Sequence, residues 1–150
     1  MKKMAKVWAT GLMSLLFVTM FAACNLFSFA QFALSAQYPK TVLSGSSFTV
    51  TVETTNKGKT YSYTGSSTKI GAAVEIYLEQ DGERYDLVCV TPEQADDEVE
   101  VTIEPEEVIT QDWQCRAVLA DGTKAPAGKY TMKLSFAGAS TIFKNLITVV

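Results

Sequence analysis

Three cysteines, Cys24, Cys89 and Cys115, are the residues of this chain with the clearest capacity for chemistry. The chain has no histidine, so it lacks the commonest general base near neutral pH and the commonest zinc ligand. Serine–histidine–aspartate and cysteine–histidine catalysis are therefore excluded. The cysteine chemistry that remains is attachment of a lipid, formation of a disulfide, or burial as inert thiols.

The residues before Cys24 predict an export signal. Three lysines among the first six residues precede an uncharged, largely apolar run over residues 7–23, which is the pattern of a secretory signal peptide. The segment Phe21-Ala22-Ala23-Cys24 resembles the lipobox of bacterial lipoproteins. That resemblance implies a signal helix and signal peptide over residues 1–23, lipid attachment at Cys24, and an extracytoplasmic protein anchored to the cell membrane.

Two other outcomes of the export signal stay open. Phe21 stands where the lipobox usually has leucine, and residues 25–30 are mostly apolar rather than polar. Cleavage before Gln31, after a pattern of small residues, would give a secreted protein without the lipid. The apolar run over residues 7–23 is also near the minimum length for an uncleaved membrane span.

Cys89 and Cys115 are predicted to form a disulfide. An exported protein meets an oxidising environment, and lipid attachment at Cys24 leaves these two cysteines as a pair. The bond would close a loop of about 26 residues, which corresponds to roughly 3–4 kcal/mol of stability. Two buried free thiols are the alternative, while two cysteines alone cannot complete a four-ligand zinc site.

Serine chemistry and metal binding have little support in the sequence. No Gly-x-Ser-x-Gly pattern occurs, so there is no nucleophile elbow. The chain is therefore predicted not to be an enzyme and to use no cofactor or metal.

Acidic residues dominate one segment of the chain. Ten basic residues remain after Cys24 against all 16 acidic ones, a formal charge of 10 − 16 = −6, which argues against a nucleic-acid partner. The densest group consists of Glu93, Asp96, Asp97, Glu98, Glu100, Glu104, Glu106 and Glu107. A calcium site is one interpretation of this group, and a solvated loop with a charged edge strand is the other.

Two sets of residues are candidates for ligand contact. Tyr61 and Tyr63, together with Tyr77, could form an aromatic patch for a glycan or peptide, although alternating aromatic residues more often pack across strands. Lys124 and Pro126 lie in a turn-rich link and could form a recognition loop. We expect the partner of such a site to be a protein or glycan at the cell surface.

The elements that must position these residues have the two-residue period of strands. Phe48, Val50 and Val52 alternate with polar residues, and similar rows occur at 74–78, 85–89, 99–103, 113–119 and 130–136. Turn signals stand at residues 56–59, 81–82 and 137–140. Short strands at this spacing predict an all-β, immunoglobulin-like antiparallel β-sandwich of seven to eight strands over residues 37–150. Residues 24–36 are predicted to be a tether.

Two stretches are similar to bacterial immunoglobulin-like extracellular domains. They are Leu43–Val52 with the following Asn56-Lys57-Gly58, and Ala125–Leu134. Together with Arg84–Val88, Trp113 and Asp121-Gly122, they also resemble the small β-sandwich inhibitors of intracellular serine proteinases in bacilli. The resemblance implies a fold more directly than an activity.

The expected function is that of a non-catalytic binding or accessory module at the cell envelope. The first alternative is a proteinase inhibitor, which would use the loops at residues 64–69 or 121–128 to enter a protease cleft. The second alternative is a structural spacer domain of an envelope assembly.

Overall fold

The computed structural model describes residues 31–150, and these residues form strands without any helix. The strands are β1 (Phe32–Gln37), β2 (Thr41–Val42), β3 (Ser47–Asn56), β4 (Tyr61–Gly65), β5 (Ala73–Gln80), β6 (Glu83–Asp86), β7 (Val88–Val90), β8 (Val99–Ile103), β9 (Val108–Arg116), β10 (Gly128–Phe136) and β11 (Ala139–Val149). The all-β class is confirmed, with eleven strands in place of the predicted seven to eight. The predicted signal helix, the cleavage site before Cys24 and Cys24 itself lie outside the described residues. Residues 31–150 also contain no helix that is long and apolar enough to cross a membrane.

The strands form three sheets. A four-stranded sheet has the order β1-β3-β9-β7, a five-stranded sheet has the order β2-β11-β10-β5-β6, and β4 pairs with β8. Neighbouring strands run antiparallel except β2 and β11, which run parallel. Buried side chains of the two larger sheets meet in one hydrophobic core. The arrangement is therefore sandwich-like.

The two-residue period of the sequence becomes the inside and outside of each sheet. Along β3, Val50 and Val52 are buried while Thr49 is exposed. Along β10, Met132 and Leu134 are each 0% exposed. Alternation in the sequence therefore marks the core faces of these strands correctly.

The domain begins earlier than its predicted start at residue 37. β1 occupies the end of the predicted tether, residues 24–36, and pairs with β3 from Phe32 opposite Asn56 to Gln37 opposite Thr51. Phe32 and Leu34 are 4% and 3% exposed and belong to the core. The sequence hides this strand because its apolar residues follow an already apolar segment without a turn signal between them.

Two of the three predicted turns are two-residue hairpins. Asp81 and Gly82 join β5 to β6 with φ values of 54° and 77°, and Ala137 and Gly138 join β10 to β11 with φ values of 47° and 84°. Two positive φ angles in succession are the type I′ geometry that suits the twist of a hairpin. The turn after Asn56 is different, because it leads from the four-stranded sheet into β4 of the small sheet.

Tyr130 anchors the entry to β10. Its side chain is 0% exposed, and its hydroxyl donates a 2.8 Å hydrogen bond to the carbonyl of Pro126, four residues upstream. Immunoglobulin-like sandwiches use the same device, a tyrosine bonded to the backbone just before its strand. Burial, and secondarily the neighbouring Tyr85, raises the pKa of Tyr130 to about 12.

Replacing Tyr130 with phenylalanine tests this corner. We expect Tyr130→Phe to lower the free energy of unfolding by about 1–2 kcal/mol at pH 7, because it removes one hydrogen bond and leaves the Pro126 carbonyl without it. The pKa of Tyr130 in the folded protein lies above the ordinary value near 10, so the unfolded state ionises first as the pH rises. Between about pH 10 and pH 12, the free energy of unfolding of the wild type should therefore fall by on the order of 2 kcal/mol more than that of the variant. Urea unfolding of both proteins across that range measures it, and parallel pH profiles would contradict it.

Candidate functional site

Four aromatic rings meet at one end of the core, and we call them the aromatic cluster: Phe32, Tyr61, Tyr63 and Phe136. The Phe32 ring contacts Tyr61 at a centroid distance of 5.1 Å and Phe136 at 4.8 Å, with interplanar angles of 87° and 90°. Tyr63 lies 5.9 Å from Tyr61 and 6.4 Å from Phe136. Phe32 is buried, whereas the other three rings are partly exposed. The cluster therefore combines edge-to-face packing with an aromatic surface open to solvent.

The small sheet holds the two tyrosines in place. Tyr61 and Tyr63 alternate along β4, opposite Ile103 and Val101 of β8, so both rings lie on one face. A side chain at Gly65 would place its Cβ 2.9 Å from the ring of Tyr63, so glycine keeps that space open. Burial raises the pKa of Tyr63, with an opposing effect from the charge of Lys69. The hydroxyl can act as both donor and acceptor.

An open cleft of about 310 Å³ adjoins Phe136. Its walls are Lys133 and the turn segment 135–140, which includes the hydroxyl-bearing Ser135 and Ser140. The ammonium of Lys133 is 3.8 Å from a carboxylate oxygen of Glu75, which is a loose, exposed ion pair. The cleft therefore offers hydroxyl groups and a cation on the outer face of β10, whereas the Phe136 ring packs toward the core from the inner face.

The structure separates the other predicted loop from this end. Lys124 packs over Gly45, and its Cε lies 3.3 Å from where a Cβ on Gly45 would stand. The carbonyl of Pro126 accepts the hydrogen bond from the Tyr130 hydroxyl. Tyr130 and Phe136 stand at opposite ends of β10, roughly 20 Å apart at the rise of a strand. Lys124 and Pro126 thus belong to a structural corner remote from Tyr61 and Tyr63.

Tyr77 is also separate from the other two tyrosines. It lies on β5, where the guanidinium carbon of Arg84 stands 3.8 Å from the centre of its ring. Arg84 also forms ion pairs with Asp86 at 2.7 Å and Glu75 at 3.4 Å. The hydrogen bond to Asp86 raises the pKa of the guanidinium. Sequence reasoning missed Arg84 here, although the Asp81-Gly82 hairpin signal already implied the pairing of β5 with β6 that brings it close.

The acidic segment is held by bases and hydroxyl groups rather than arranged around a cation. Glu107 forms a 2.6 Å ion pair with Lys69, and Asp97 accepts hydrogen bonds from Ser66 and Ser67. These hydrogen bonds lower the pKa of both carboxyl groups. Within residues 31–150, no group of three or more acidic or cysteine side chains is placed to hold a metal ion.

Ser66 and Lys69 have the Ser-x-x-Lys spacing of some hydrolases, a pairing that sequence reasoning overlooked. The structure directs the two side chains to different partners. The Ser66 hydroxyl donates to the carbonyl of Ala95 at 2.8 Å, and the Lys69 ammonium donates to Glu107. Lys69 is therefore not placed to activate Ser66.

Cys89 and Cys115 are both free in the structure, so the predicted disulfide is not formed. They stand directly opposite each other on β7 and β9, with a distance of 2.5 Å between their sulfur atoms. Cys115 is buried, while Cys89 is partly exposed. The fold therefore brings the two predicted cysteines side by side, while the predicted bond between them is not found.

Asn56 is a buried polar residue that sequence reasoning assigned only to a turn. It is 0% exposed, and its amide nitrogen donates to the carbonyls of Lys59 at 2.8 Å and Ile103 at 2.9 Å. Its side-chain oxygen accepts bonds of 3.0 Å from Gln31 and from the backbone of Gly58. All four hydrogen-bonding positions of the amide are therefore used, and they tie the start of β1 to the ends of β3 and β8.

The chain matches no protein-family model and no curated protein. Among solved structures it is similar to a mutant β-glucosidase from Listeria innocua in complex with laminaribiose, at 14% identity and a TM-score of 0.46, over 82% of this chain and 16% of that one. The same enzyme in complex with glucose gives 14% identity and a TM-score of 0.45, over 81% and 16% of the two chains. This chain thus spans about a sixth of the length of these glycosidases, and the likeness identifies neither a family nor an activity.

Proposed function

We propose that this protein is an exported, non-catalytic binding module of the cell envelope, built on an immunoglobulin-like β-sandwich and held at the membrane by a lipid on Cys24. The observation that carries the proposal is the aromatic cluster with its adjoining cleft. Partly exposed rings beside a few polar groups are the usual composition of a ligand site. The predicted export signal supports a site outside the cytoplasm.

The chemistry of the site favours a glycan as the ligand. The tyrosine rings supply apolar faces with a polar hydroxyl at the edge, and Ser135 and Ser140 supply further hydroxyl groups at the cleft. Lys133 adds a cation that would bind the carboxylate of an acidic sugar or a sulfate group.

A proteinase inhibitor of similar fold is the second candidate, and one observation favours it. The loop at residues 64–69 is held in a fixed shape, since Ser66 bonds to the Ala95 carbonyl and Thr68 accepts from the Ala95 amide at 3.1 Å. A loop of fixed shape lowers the entropy cost of entering a protease cleft.

Removing the exposed tyrosine rings tests the proposed site. We expect Tyr63→Ala and Tyr61→Ala each to weaken binding to a responsive oligosaccharide about tenfold, since a desolvated aromatic contact contributes roughly 1–2 kcal/mol. Tyr77→Ala is the matched control and should leave binding unchanged, because Tyr77 lies outside the aromatic cluster. The measurement is binding of the purified protein to arrays of neutral and acidic cell-surface glycans.

Three results would contradict a glycan site at the cluster. The first is equal affinity of the Tyr63→Ala variant and the wild type, and the second is equal loss in the Tyr77→Ala control. The third is failure to bind any glycan together with inhibition of a serine protease at micromolar concentration, which would support the inhibitor in its place. Because Tyr61 packs on buried Phe32, thermal unfolding of each variant must show that a loss of binding is not a loss of folding.

A further inference from the structure

The two thiols lie where the chain passes from one large sheet to the other. β6 pairs with β5 in the five-stranded sheet, and β7 pairs with β9 in the four-stranded sheet. Between them the Leu87 amide donates to the carbonyl of Ile76 at 2.9 Å. Only three residue pairs attach β7 to its sheet, and the central one is Cys89 opposite Cys115.

The backbone arrangement brings these side chains as close as antiparallel strands allow. The Ala117 amide donates to the carbonyl of Ser46 on the β3 side. Since residues two apart on a strand face the same neighbour, the amide and carbonyl of Cys115 also face β3 and not β7. The pair with Cys89 is therefore a non-hydrogen-bonded pair, in which the Cα atoms are closest, at about 4.5 Å. That separation falls within the range that a disulfide spans.

The two thiols differ in access. Cys89 is partly exposed on an edge strand, whereas Cys115 is 1% exposed in the core. The hydrogen bond to Cys89, reinforced by burial, raises the pKa of Cys115. An external reagent therefore meets Cys89 first, and Cys115 stands behind it as its nearest neighbour.

We propose that Cys89 and Cys115 are an attacking and a resolving thiol that close a reversible disulfide, and that this bond sets whether β7 stays attached to its sheet. The oxidant is a small-molecule or protein disulfide. The Cys89 thiolate attacks one of its sulfurs, its S–S bond breaks, and one thiol leaves. Cys115 then attacks the Cys89 sulfur and gives its proton to the departing thiolate, so the internal S–S bond forms as the mixed disulfide breaks and the second thiol is released. Two protein thiols are oxidised and one external disulfide is reduced.

The bond would act on the segment that follows β7. It would close the chain from 89 to 115, which contains the acidic segment and β8 with its contacts to the tyrosine strand β4. In the thiol form the three pairs of β7 can open locally, as short edge elements do. In the disulfide form that opening requires β9 to move as well. The inference is independent of the ligand at the aromatic cluster.

To test the proposal, the full-length chain is reduced and then incubated with oxidised glutathione under native conditions. Peptide mapping should show a Cys89–Cys115 disulfide and no lasting adduct on either of these two cysteines in the wild type. Cys115→Ala should retain one glutathione on Cys89, because nothing resolves it, and Cys89→Ala should react at least about tenfold more slowly. Cys115→Ser is a second variant without the resolving thiol, for use if Cys115→Ala is poorly folded. Hydrogen exchange of the Val88 and Val90 amides, which face β9, should be about 10-fold to 100-fold slower in the disulfide form.

Three outcomes would overturn the proposal. In the first, the wild type keeps a stable glutathione adduct on Cys89 or Cys115, or both of these thiols remain reduced after incubation. In the second, Cys89→Ala reacts as fast as Cys115→Ala, so the two thiols have no separate roles. In the third, the disulfide forms but hydrogen exchange at β7 is unchanged, so the bond does not control that strand.

Discussion

Asn56→Ala is expected to lower the free energy of unfolding by about 3–5 kcal/mol, which is a large share of the stability of a domain this size. The change removes an amide whose four hydrogen-bonding positions are all used, and it leaves the carbonyl of Ile103 inside the protein without that donor. Each buried group deprived of its partner costs about 1–3 kcal/mol. Urea unfolding followed by circular dichroism measures the loss.

The matched control for Asn56 is an exposed amide with a single side-chain bond. Gln114 accepts one 3.2 Å hydrogen bond from Thr49 on the outer face of the four-stranded sheet. Gln114→Ala should change stability by less than about 0.5 kcal/mol, as surface substitutions usually do. A loss below about 1 kcal/mol for Asn56→Ala, or equal losses for the two variants, would show that the buried amide does not hold these strand ends together.

Gly71→Ala is expected to destabilise the protein by about 2–4 kcal/mol through a collision with a single side chain. Gly71 is buried, and a Cβ there would stand 2.8 Å from the Cβ of Thr54 and still closer to its hydroxyl oxygen. Thr54 is 1% exposed, and its hydroxyl accepts a 2.8 Å bond from the Ala72 amide. The added methyl group must therefore displace a packed residue or break that bond.

A double-mutant cycle identifies the collision as the cause. Thr54→Ala alone should cost about 1–3 kcal/mol, because the buried Ala72 amide loses its acceptor. In the double variant, the methyl group added at position 71 occupies the space left by the Thr54 side chain. The loss of unfolding free energy in the double variant should therefore be at least about 1 kcal/mol smaller than the sum of the two single losses. Additive losses in urea unfolding would place the strain of Gly71→Ala elsewhere.

Much of the fold follows from local pattern, and the exceptions have physical reasons. Alternation marks the inner faces of β3 and β10, and the glycine turns mark two hairpins. β1 was taken for a tether because an apolar strand that follows an apolar segment has no visible boundary. The move of the chain between sheets at Leu87 leaves no local signal either, because it depends on hydrogen bonds to distant strands.

For the same reason, the sequence predicts only two of the four residues of the aromatic cluster. Tyr61 and Tyr63 could be picked out as alternating aromatic residues, but their partners Phe32 and Phe136 come from strands far along the chain in either direction. Tyr77 looked equivalent and lies elsewhere. Asn56 had the appearance of an ordinary turn residue, since its partners Gln31 and Ile103 are separated from it by 25 and 47 positions.

The pairing of β3 also governs how the molecule can assemble. β3 lies between β1 and β9, and its residue Ser47 pairs with Arg116, far along the chain. The centre of the four-stranded sheet therefore cannot form until nearly the whole chain is available, and sheets built from such distant pairings fold slowly, on a scale of milliseconds to seconds. During that interval the edge of β3 that later pairs with β9 is open to aggregation.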